Sequence, residues 1–82
     1  MGEIQRLKTE IQSRKFRSME IAAEIDVKVR EIKKLLASYP LIKLRDLELH
    51  LIDQLASEAH ALKKQYTALQ KEIELAEKEL EP

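Results

Sequence analysis

The two histidines are the first residues to weigh for chemistry, because imidazole ligates metals and activates hydroxyls near neutral pH. Asp46, His50 and Asp53 fall at i, i+4 and i+7. On a helix that spacing gathers one imidazole and two carboxylates on a common face, a donor set a divalent cation shared between two copies would accept. A solvated helix face presents the same residue types far more often, no HExxH accompanies them, and His60 falls off that face, so no metal is expected. Ser57 and His60, at i and i+3, are the one hydroxyl and histidine at a helical neighbour spacing. Nothing beside them promises an oxyanion site or a concave pocket, so the chain is expected not to be an enzyme. The sole glycine is Gly2, which leaves no phosphate-cradling loop, and without cysteine there is neither a disulfide framework nor a thiolate metal site. No cofactor and no small-molecule substrate are expected.

Charge suggests one further chemistry. Residues 1–45 hold eleven Lys and Arg against six Asp and Glu, and residues 46–82 hold four against nine. Arg14, Lys15, Arg17, Lys28, Arg30, Lys33, Lys34, Lys43 and Arg45 make the first half basic, so nucleic-acid binding through that half is the alternative function to weigh. Interleaved Glu20, Glu24, Asp26 and Glu31, a pI near 6.7 and aromatics at 4% count against it.

The elements that must carry these residues follow from the apolar spacing. Charged residues at 37% and a single glycine are the composition of long helices, and the fold class is all-α. An a and d seam runs Ile4, Leu7, Ile11, Arg14, Ser18, Ile21, Ile25, Lys28, Ile32, Leu35, Tyr39. A second runs Ile52, Leu55, Ala59, Leu62, Tyr66, Leu69, Ile73, Ala76, Leu80. Each is spaced three then four, as a left-handed coiled coil requires. Between them lies Ser38-Tyr39-Pro40-Leu41, where proline lacks the amide a helix interior needs and pushes Tyr39 from the α region. Continued through Pro40, the first seam would use Leu49, Ala56 and Lys63 instead of Ile52, Ala59 and Tyr66. That slip of one residue, about 100° of rotation, is incompatible with one unbroken stripe. The reading is a single domain over 1–82: helix over about 3–38, turn at 38–40, and an antiparallel helix over about 41–81 with Pro40 in its first turn. Pairs at i and i+4, Glu10 with Arg14, Glu24 with Lys28, Asp26 with Arg30 and Glu74 with Lys78, support the helices. The alternating Leu47, Glu48, Leu49, His50, Leu51 is read as helix, since leucine is not β-branched and no partner strand is in reach.

A reversal at 39–40 sets positions summing to about 80 level, which places Arg14 near Tyr66 and Ser18 near Leu62. A hydrogen-bonded layer of Arg14, Ser18 and Tyr66 would pin the alignment; the plainer reading lays the Arg14 and Lys28 stems along the seam with their charges in water. Phe16, Met19, Ala23 and Val27 recur at helical spacing well around from the seam, and Ile42, Leu49 and Ala56 flank the second seam. Such stripes mark association surfaces. Residues 1–12 against 68–82 are expected to be a plain two-stranded coil that frays. Two helices cannot enclose a core, so the expected function is a protein–protein interaction module: a homodimer forming a four-helix bundle through those seven residues, or an adaptor or chaperone for another helical protein. No run approaches a membrane span and Met1–Arg6 is no signal peptide, so a cytoplasmic location is expected.

Overall fold

A computed structural model describes residues 2–39 and 42–81 of the chain. Helix α1 spans Gly2–Ala37, helix α2 spans Leu49–Leu80, and a 3₁₀ turn at Leu44–Asp46 lies between them. The helices run antiparallel: Lys15 reaches Glu77, Arg14 reaches Glu72 and Lys28 reaches Glu58. The fold is thus an all-α helical hairpin, 64 Å long and only 16 × 14 Å in section. One continuous helix of this chain would measure roughly 120 Å.

Both seams face inward as their spacing requires. Ile11, Ser18 and Ile21 of α1 and Leu55, Ile73 and Ala76 of α2 are buried, and every one is a seam residue. Most of the remaining seam positions are half-buried, which is what one neighbouring helix can cover. Among the described residues, three of the five buried apolar ones, Ile11, Ile73 and Ala76, lie at the end carrying the termini. Toward the connection, Leu55 is the buried apolar residue among the described ones.

The connection departs from expectation. α1 ends with the Tyr39 amide donating to the Leu36 carbonyl at 3.1 Å and the Ile42 amide to the Ser38 carbonyl at 3.1 Å. The Ser38 hydroxyl adds a bond to the Lys34 carbonyl at 3.3 Å. α2 then starts at Leu49, not at 41. Glu48 caps it with backbone only, its carbonyl accepting from the Leu51 and Ile52 amides at 3.1 Å. The placement of Pro40 in a first helical turn falls outside the described residues. Paired helix axes sit about 8–10 Å apart. A tight reversal across that gap is usually capped by a left-handed glycine, which the end of α1 lacks, and the chain reverses through a longer connection that includes the 3₁₀ turn. Leu47 and Ile42, taken as helical, therefore sit half-buried in the connection.

The longer connection resets the register. Arg14 with Glu72 and Lys28 with Glu58 each sum to 86, not about 80. Tyr66 therefore lies level with Glu20, and the layer of Arg14, Ser18 and Tyr66 does not form. The Arg14 guanidinium turns to Glu72, with Nε 3.7 Å from Oε2. The buried Ser18 hydroxyl donates within its own helix to the Lys15 carbonyl at 2.9 Å. Of the expected i, i+4 pairs only Asp26 with Arg30 is made, at 2.8 Å; Glu10 sits instead beside Arg6 at 3.9 Å.

Candidate interaction surface

The outward faces follow from the heptad phase. Counting Ile4 as position a places Phe16 and Ala23 directly opposite the seam, with Met19 and Val27 to either side of them. Phe16 is 66% exposed, Met19 69% and Val27 53%, and Ala23 is exposed as well. On α2, Leu49 and Ala56 are exposed beside the seam, while Ile42 is half-buried in the connection. In the observed register Ala56 lies level with Arg30 and Leu49 with Ala37. The seven residues thus form two patches offset by roughly 18 Å along the rod rather than one.

A residue not singled out from the spacing extends the second patch. Lys15 and Glu77 sum to 92 and pair across one flank with Nζ 3.2 Å from Oε2. Leu36 and Ala56 share that sum, so the flank that is ionic near the termini becomes apolar near the connection, where Leu36 is 49% exposed. The signal was present in the sequence: Ala22, Val29 and Leu36 recur every seven residues beside the first seam. The opposite flank carries Arg14 with Glu72 and Lys28 with Glu58, spaced two heptads apart on both helices.

The Lys28–Glu58 pair has the shortest of the cross-helix contacts, with Nζ donating to Oε2 at 2.6 Å. That hydrogen bond, reinforced by the negative charges of Glu58, Glu31 and Glu24, raises the Lys28 pKa against a smaller opposing effect of burial. Glu58 is held below its ordinary value by the bond from Lys28 and by a second from Gln54 Nε2 to Oε1 at 3.2 Å.

The candidate chemistry from the histidines does not assemble. Asp46 lies in the 3₁₀ turn, so Asp46, His50 and Asp53 do not line one helix face. Ser57 and His60 are both exposed, and no hydrogen bond joins them among the described residues. The basic ridge is also largely neutralised: Arg14, Lys15 and Lys28 pair with carboxylates of α2, Arg17 with Glu20, Arg30 with Asp26 and Arg45 with Asp46. The cations left without a carboxylate partner among the described residues include all four lysines of α2, in the half that composition marks as acidic. Three of them, Lys63, Lys64 and Lys71, join His60, Thr67 and Ala68 around a shallow depression of about 410 Å³ on the outer face of α2.

Comparison with protein-family models, with curated proteins and with solved structures finds no match. The functional reading rests on these surfaces alone. Among the described residues, no helix is long and apolar enough to cross a membrane.

Proposed function

We propose that this chain is a non-enzymatic, cytoplasmic protein–protein interaction module: a helical hairpin that self-associates, in the simplest case as a homodimer with a four-helix core. The observation that carries the reading is the exposure of Phe16 and Met19 at helical spacing on the side of α1 that α2 leaves uncovered. A specific dimer buries about 800 Å² on each partner. The strip from Phe16 to Val27, about 17 Å long and one helix wide, is too small for that alone. Leu36, Leu49 and Ala56 must therefore contribute, and the axial offset of the two patches suits a twofold pair in which the strip of each copy meets the flank of the other.

Light scattering on the purified chain is expected to give a mass near twice 9.6 kDa. Phe16→Ser combined with Leu49→Ser should shift that mass to the monomer while the circular dichroism keeps its helical form. A wild-type chain that stays monomeric and well ordered at high micromolar concentration would remove the proposal.

A further inference from the structure

We propose that the outer face of α2 formed by His60, Lys63, Lys64 and Lys71 docks an acidic amphipathic helix of a partner protein. The face lies behind the α2 seam, whereas the strip of Phe16 and Met19 lies behind the α1 seam, so the two occupy opposite edges of the hairpin. Docking there goes beyond self-association and is separable from it.

Charge supplies the first argument. The hairpin neutralises most of its α1 cations internally, through three cross-helix pairs and three local ones. Lys63, Lys64 and Lys71 have no carboxylate within ion-pair distance among the described residues, although α2 bears Glu72, Glu74, Glu77 and Glu79 close by in sequence. Glu72 and Glu77 are engaged with Arg14 and Lys15 instead. A concentrated positive face thus survives on the helix whose overall charge is negative.

Geometry supplies the second. Lys64 and Lys71 are one heptad apart, about 10.5 Å along the helix, and Ala68 between them lets a neighbouring backbone approach closely. The depression is lined by Ala68 and by lysines whose stems are apolar along their length. A helix with glutamates one heptad apart beside a leucine stripe satisfies both features. Nucleic acid suits the face less well, because the cluster contains no arginine for bidentate phosphate contacts and no Phe, Tyr or Trp ring for stacking bases.

The test uses the full chain and three fluorescent probes: a designed amphipathic peptide of about three heptads with glutamates at heptad spacing, its glutamine counterpart, and a DNA duplex of about two turns. By anisotropy at about 150 mM salt, the glutamate peptide is expected to bind, and the glutamine peptide to bind at least about tenfold more weakly. Replacing Lys63, Lys64 and Lys71 by glutamine should weaken the glutamate peptide by about tenfold as well. The same replacement at Lys8, Lys33 and Lys34, with an identical change of net charge, should alter it less than about twofold. Equal losses in both triple variants, no discrimination between the peptides, or tighter binding of the duplex through the cluster would overturn the proposal. Light scattering on the same samples reports self-association independently, so a monomeric chain that still binds the glutamate peptide refutes only the dimer.

Discussion

At the scale of single residues, Lys28 and Glu58 show how a seam accommodates charge. Lys28 occupies a d position that an apolar residue would fill, yet its side chain is 26% exposed and its ammonium reaches the rim, where Glu58 and Gln54 complete a hydrogen-bonded set. Glu58 titrates below its ordinary value of 4.5 in the folded chain, so its contribution is complete above that value and is lost as the pH falls through the lowered one. Lys28 is raised from 10.5, so its contribution is complete below that value and is lost only as the pH climbs through the raised one. The pair therefore stabilises across the neutral range and fails first in acid. In Glu58→Gln the charge is gone at every pH. Thermal melts by circular dichroism should show the wild type more stable near neutrality and the two proteins converging as the pH falls below the ordinary glutamate value. Curves that stay parallel to pH 3 would mean that the pair contributes nothing.

At the scale of the helices, the question is what fixes one alignment of two similar seams. The d positions Leu7, Arg14, Ile21, Lys28 and Leu35 meet Glu79, Glu72, Gln65, Glu58 and Leu51 in the observed register. Each cation finds a glutamate, and Leu35 finds a leucine. A slip of one heptad either way sets Ile21 against Glu72 or Glu58 and leaves at least Lys28 without its carboxylate, so the pattern selects against neighbouring registers. Arg14→Glu should set two carboxylates together and lower stability by about 0.5–1 kcal/mol, and adding Glu72→Arg should restore most of it. A double variant no better than the sum of its two single changes would show that Arg14 and Glu72 do not interact. Both seams were legible from spacing because a 3.5-residue period needs no knowledge of the partner helix. The register was not, since it depends on how many residues the chain spends reversing. Pro40 marks the break but not its length, and no local signal at residues 41–48 marks the α2 start at Leu49. The exposed strip of Phe16, Met19, Ala23 and Val27 was readable, whereas the α2 cation cluster was masked by a half-chain charge of the opposite sign.

At the scale of the molecule, two helices form a rod 64 Å long and 16 × 14 Å in section, so only side chains on the line between them can be covered and every other face meets solvent. That shape explains why, among the described residues, only six side chains are buried along a 64 Å rod. It also admits a rival: two chains opened at the connection and paired along their full lengths would present the same seams and the same ion pairs between molecules. Spin labels separate the cases, and the lack of native cysteine makes Gln12→Cys and Glu74→Cys uniquely labelled. Both positions are exposed, and they sum to 86, so in the hairpin they sit level on neighbouring helices, roughly 15–20 Å apart. Within one opened chain they would lie about 90 Å apart. Short distances alone do not decide, because the opened pair would supply them between molecules. Mixing the doubly labelled chain with an excess of unlabelled chain, unfolding and refolding together, does decide. The hairpin keeps its short distance undiminished, whereas the exchanged pair loses it in proportion to the dilution, and that loss would end the hairpin account.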